Sequence, residues 1–185
     1  MSNVPYPRLT RPPLDPNVRA LGAASFLHDL SSEMIFPFLP AFLTSVLGAA
    51  PVLLGMIEGA ADSASSLLRP IFGGLSDRFR RRKPFVVLGY GIANATRPFL
   101  AIATGPWQVL AIRLCDRLGK GIRTAPRDAL LADSSSPGGR GRAFGFHRAM
   151  DHAGAVVGPL LAAAAFLAVD RSYRWLFLIA SVPGL

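Results

Sequence analysis

Apolar residues along this chain gather in long blocks with short breaks between them. The blocks are about twenty residues long, the length a helix needs to cross the hydrocarbon of a bilayer. They predict helices over 19–47, 51–76, 84–104, 107–132 and 141–169, and a sixth that begins near Tyr173 and reaches Leu185. Helix breakers stand at the joints: Gly48, Pro51, Pro84, Gly105–Pro106, and the run Ser134–Gly139. The expectation is an all-α integral membrane fold with five complete spans and a truncated sixth. Residues 1–18, with Pro5, Pro7, Pro12, Pro13 and Pro16, read as a cytoplasmic tail without a cleavable signal, and 19–185 as one transmembrane bundle.

Composition strengthens the membrane reading. Charged residues make up 17% of the chain and apolar ones 51%, whereas a soluble domain carries about 25% charged residues. The net charge of +9 does not point to nucleic acid, because the cations are threaded between apolar blocks rather than gathered on one surface. Arg8, Arg11 and Arg19 precede the first block, Arg78 and Arg80–Lys83 follow the second, and Arg140 and Arg142 follow the fourth. The connections after the first and third blocks are uncharged, and the one after the fifth holds Asp170, Arg171 and Arg174. This alternation predicts a multi-pass protein of the plasma (inner) membrane with its N-terminus in the cytoplasm. The lone Cys115 excludes an intramolecular disulfide, and no His/Cys cluster predicts a metal or other cofactor. No G-x-S-x-G, H-E-x-x-H or phosphate loop occurs, so an enzyme is not expected.

Ionisable residues inside the blocks carry the candidate chemistry. The first block holds His28, Asp29 and Glu33; the second Glu58, Asp62 and Arg69; the fourth Arg113, Asp116, Arg117, Lys120 and Arg123; the fifth His147, Arg148, Asp151 and His152. The third has only Arg97. Charge is costly in hydrocarbon, so these groups should face the bundle interior or a water-filled cavity. Helices one, two, four and five are therefore expected to line a polar path, with three and six outside it. Gly55 and Gly59 have the spacing of a helix-packing pair. Glu58-x3-Asp62-x7-Pro70 in the second block is echoed by His147-x3-Asp151-x7-Pro159 in the fifth, as an inverted repeat of three-helix units would require.

Three segments resemble motifs of the major facilitator superfamily. The run Gly73-Gly74-Leu75-Ser76-Asp77-Arg78-Phe79-Arg80-Arg81-Arg82 is similar to its G-x-L-x-D-R-x-G-R-R loop, with Arg80 in place of the second glycine. Arg117-Leu118-Gly119-Lys120-Gly121 resembles the R-x-x-x-G motif of the fourth helix, within a longer run similar to a prokaryotic branch of the family. Gly145-x8-Gly154-x3-Gly158-Pro159-x2-Ala162-Ala163 resembles the antiporter motif of the fifth helix, with alanine at the last two positions.

The resemblance implies the N-terminal six-helix bundle of a twelve-helix transporter, with a missing C-terminal half as its intramolecular partner. It also implies a gating loop (Gly73, Asp77, Arg78, Arg81, Arg82) and a helix-packing motif (Gly145, Gly154, Gly158, Pro159). Asp29, Glu33, Glu58 and Asp62 are the candidates for proton coupling. Arg113, Asp116, Arg117, Lys120 and Asp151 are candidates for charge tuning or substrate contact. The expected function is proton-coupled efflux of a small organic solute, with the lipid bilayer, the solute and protons as partners and no nucleic acid. Symport or facilitated passage of an anionic metabolite, or a non-transporting membrane fragment or subunit, are the alternatives.

Overall fold

The computed structural model describes residues 13–136 and 138–185. Arg8, Arg11 and most of the expected tail lie outside the described residues. The described chain is helical: α1 (Pro16–Ile35), α2 (Pro51–Phe79), α3 (Lys83–Thr96), α4 (Pro106–Asp133), α5 (Arg140–Ala168) and α6 (Tyr173–Ser181). Proline stands in the first turn of α1, α2, α3 and α4, where its missing N–H is no loss and its fixed φ suits the helix. Asp15 caps α1 by accepting from the Asn17 backbone N–H at 2.8 Å, so this helix begins three residues before the expected boundary.

The first span is not one uninterrupted helix. Beyond Ile35 it continues as a 3₁₀ turn (Phe36–Phe38), a short α segment (Leu39–Ala41) and a π turn (Phe42–Val46). Pro37 and Pro40 each remove a donor from the helical ladder there. The third span likewise ends in 3₁₀ form over Arg97–Ile102. At the end of α2, Arg80 takes the left-handed conformation (φ 49°, ψ 27°) that the family pattern gives to glycine. The turn forms nonetheless, at a local cost of about 1–2 kcal/mol.

Packing pairs α1 with α5, α2 with α4, and α3 with the other side of α4; α6 rests on α1 and on the 3₁₀ end of the third span. Helices one and five correspond to four and two in an inverted repeat of three-helix units, so the two principal pairs are the ones that symmetry relates. Backbones approach closely at small residues. A Cβ on Gly154 would lie 2.6 Å from the Phe26 carbonyl oxygen, one on Gly158 2.9 Å from that of Leu30, and one on Gly121 2.9 Å from that of Ser65. Gly55 and Gly59 were expected to pack, but neither has any atom within 4 Å of a built Cβ among the described residues.

Two apolar clusters close the ends of the bundle. One holds Leu39, Phe42, Leu43, Leu100, Val109, Leu176 and Phe177, the other Val18, Leu21, Val86, Leu131 and Ala143. Buried polar side chains lie between them, among them His28, Arg97, Arg113, Asp116 and Arg123. Large apolar side chains face outward instead, including Val52 and Leu67 on α2, Val87 on α3, and Leu160 and Leu167 on α5. A soluble monomer does not expose so much apolar surface, and a bilayer would cover it. Among the described residues, only Lys83–Ile102 and Arg140–Ala168 are long and apolar enough to cross a membrane by composition alone. Helices α2 and α4 fall short because of the charges they direct at each other.

Candidate functional site

Two arginines of α4, Arg113 and Arg117, meet carboxylates of α2. Arg113 donates to both oxygens of Glu58, from Nε at 2.8 Å and Nη2 at 2.7 Å. Such a bidentate contact fixes orientation as well as charge. Arg117 lies 3.6 Å from the same carboxylate and 3.1 Å from Asp62 Oδ1. The Arg117–Asp62 approach is Coulombic rather than a hydrogen bond, since Arg117 Nε has no aligned partner. Glu58 is 20% exposed and Asp62 65%. Glu58 is therefore the anchored carboxylate of the pair.

Asp116 extends the network inward. Its Oδ2 is 3.6 Å from Arg113 and its Oδ1 3.3 Å from Arg97 of the third span. Arg97, only 3% exposed, also donates to the His28 backbone carbonyl at 2.9 Å and lies 2.9 Å from His28 Nε2. The other nitrogen of that ring is 2.8 Å from Asn94 Oδ1. The groups Asp62, Arg117, Glu58, Arg113, Asp116 and Arg97 thus alternate in sign from α2 through α4 to the third span, and Arg97 and Asn94 together hold His28 of α1. Three guanidinium groups meet three carboxylates, and such matching makes burial of so much charge tolerable. The third span was expected outside the polar path; instead it contributes Asn94 and Arg97 to the centre. An arginine alone in an apolar block was the available signal, because a membrane helix keeps such a group only where it finds a partner.

A second group of charges lies toward the other end of α4. Asp29 of α1 sits against α5, its Cβ 3.2 Å from the position a Cβ on Gly154 would take. Asp151, one turn earlier on α5, is close enough to Asp29 for the two charges to interact. Neither Asp29 nor Glu33 makes an ion pair or hydrogen bond among the described residues. Asp151 Oδ2 lies 3.4 Å from His147 Nδ1, while its Oδ1 and His147 Nε2 are buried without partners. Lys120 forms no ion pair with any described residue. Arg148 and His152 face outward.

The loop after α2 is tied to the end of α4 by one side chain. Arg82 donates to the Ala129 carbonyl at 2.6 Å, contacts the Asp133 carboxylate, and lies 3.3 Å from Asp77. Arg78 and Arg81 are exposed. Gly73 brings α2 to within 3.1 Å (would-be Cβ to Cβ) of Ala125. Of the fifth-helix motif, Gly154 and Gly158 make the close crossing with α1 and Pro159 lies inside α5, whereas Gly145 has nothing within 4 Å of a built Cβ.

A sequence profile of the Major Facilitator Superfamily matches residues 21–185. An uncharacterized MFS-type transporter of Methanocaldococcus jannaschii is 41% identical over 171 residues, covering 92% of this chain and 42% of that protein. A multidrug resistance protein, MdtH of Photorhabdus laumondii, is 31% identical over 148 residues, 77% of this chain and 37% of the relative. A bacterial homologue of the human lysosomal transporter Spinster, solved in an inward-facing and occupied conformation, superposes with a TM-score of 0.77 at 17% identity. That superposition covers 90% of this chain and 41% of the other. The chain spans about two fifths of the length of the relatives it matches.

Proposed function

The chain belongs to the Major Facilitator Superfamily, and from that premise we propose that it supplies the first six-helix unit of a proton-coupled exporter of small organic solutes. Residues 19–185 form the bundle, preceded by a cytoplasmic tail, in a protein of the plasma membrane whose solute path is completed by a second bundle. Among the four carboxylates suited to proton coupling, the pairing described above separates two kinds. Glu58 and Asp62 are occupied by Arg113 and Arg117, so they serve as fixed counter-charges. Asp29 and Glu33 make no ion pair or hydrogen bond among the described residues; of these two, Asp29 faces Asp151 across the glycine crossing of α1 and α5, and it is assigned as the proton carrier. The placing of Asp29 beside a second carboxylate, Asp151, with no ion pair of its own among the described residues, is the observation that carries the reading, since ionisable groups in a membrane interior are retained for ion or proton movement.

Efflux is supported by the fifth-helix motif and by the likeness to a multidrug resistance protein. Arg113 and Arg117 of α4 do not call for an anionic solute, because they already engage carboxylates. The test is a fluorescence assay of the complete transporter in acid-loaded vesicles. Adding a transported amphiphile should collapse the pH gradient, and dissipating the gradient beforehand should abolish solute accumulation. Accumulation at an undiminished rate without a gradient would remove proton coupling from the account.

A further inference from the structure

One buried cation stands outside the networks described above. Arg123 of α4 is 3% exposed, and its Nε is buried without a hydrogen-bond partner. It forms no ion pair with any described residue. Its guanidinium carbon instead lies 4.1 Å above the centroid of the Tyr90 ring on α3. Tyr90 in turn donates from its hydroxyl to Ser25 Oγ of α1 at 3.1 Å. Asp29 is four residues beyond Ser25, one helical turn or about 6 Å along the same face of α1. A long guanidinium side chain therefore rests on an aromatic ring whose hydroxyl is bonded one turn from Asp29, a carboxylate with no ion pair among the described residues.

The helices are in close contact at this point: a Cβ on Gly89 would meet the Arg123 Cβ at 2.6 Å and its backbone nitrogen at 3.0 Å, so α3 and α4 are pressed together at Arg123. The groups that face Asp29 are Asp151 from α5 and Arg123, Arg127 and Lys120 from α4. Those around Arg123 are His28 and Asp29 from α1, Tyr90 and Arg97 from the third span, Lys120 on its own helix, and His147 from α5. Of the cations facing Asp29, Arg127 is held by Asp128. Arg123 is the buried one with an unsatisfied nitrogen.

We propose that Arg123 is a two-position side chain, resting on Tyr90 while Asp29 holds a proton and moving onto the Asp29 carboxylate when that proton leaves. An aromatic face holds a cation more weakly than an ionised carboxylate does, and more strongly than a neutral carboxyl does. The charge on Asp29 therefore chooses the position. The move would transfer a contact from the α3–α4 pair to the α1–α5 pair, so that proton occupancy reaches the packing between helices. Arg123 is thus a positioning residue. The inference rests on Asp29 as proton carrier and goes beyond it in naming the element that responds.

The test uses the chain itself in lipid nanodiscs, with ¹⁵N on the arginine side chains and ¹³C on the aspartate carboxyls. The Arg123 Nε resonance should carry a ring-current shift at low pH and lose it in step with Asp29 ionisation. In Asp29→Asn it should keep that shift at every pH, in Tyr90→Leu it should lack it at every pH, and Tyr90→Phe should restore it. A fixed Arg123 resonance across a range in which the Asp29 carboxyl titrates overturns the switch and leaves the proton-carrier reading standing. An Asp29 carboxyl that never titrates overturns both.

Discussion

The contact between Glu58 and Arg113 offers the sharpest measure of what holds α2 to α4. Glu58→Gln keeps the shape of the side chain and removes its charge, so the two short hydrogen bonds at 2.8 and 2.7 Å lose their charge assistance. A hydrogen bond to a charged group contributes about 1.5–3 kcal/mol, and hydrogen bonds between membrane helices average nearer 0.6. Stripping a buried charge of every partner costs about 3–5 kcal/mol, but Arg113 keeps Asp116 at 3.6 Å and the loss falls below that range. The expected coupling energy in a double-mutant cycle of Glu58→Gln with Arg113→Gln is about 2 kcal/mol, or about thirtyfold in the unfolding constant. Reversible unfolding of the chain in bicelles reads it directly. Asp62→Asn is the control: that carboxylate is 65% exposed, and its pair with Arg117 should contribute less than about 1 kcal/mol. A coupling energy near zero for Glu58 and Arg113, or a larger loss for Asp62→Asn than for Glu58→Gln, would refute the ranking drawn from burial.

Other expectations follow from backbone geometry and use the same unfolding assay. Gly154→Leu should open the α1–α5 crossing and destabilise the bundle by several kcal/mol, because its Cβ would fall 2.6 Å from a carbonyl oxygen, while Gly145→Ala should be neutral or slightly stabilising. Arg80→Gly should relieve the left-handed residue after α2 and raise stability by up to about 1 kcal/mol, the steric gain being partly offset by glycine entropy. Gly55→Ala in α2 meets open space and should stabilise that helix by about 0.5–1 kcal/mol.

Much of this architecture is legible in the sequence because membrane helices must satisfy their own backbones, which makes each span a visible apolar block. The prolines at positions 51, 84 and 106 mark starts that the structure keeps. Pro37 and Pro40 carried the same kind of information, yet the first span was read as continuous: a proline inside a long apolar run can kink, break or merely loosen a helix, and tertiary contacts decide which. The role of Arg97 was hidden for a different reason. Its partners Asp116 and His28 lie 19 and 69 residues away in the chain, so no local spacing links them. Gly55 and Gly59 have a familiar packing spacing on a face that no described helix covers. Which carboxylate each cation of α4 takes depends on the rotation of α2 against α4, set in part by the contact of Gly121 with Ser65.

The assignment of Asp29 as the proton carrier is tested most directly by comparing two fluxes in proteoliposomes of the complete transporter carrying Asp29→Asn. Gradient-driven accumulation of solute requires a proton to move; equilibrium exchange of labelled for unlabelled solute does not. The account predicts that accumulation disappears while exchange continues at a rate comparable to the unmodified protein. Accumulation that persists in Asp29→Asn would contradict it and return the proton site to Glu33, Glu58 or Asp62.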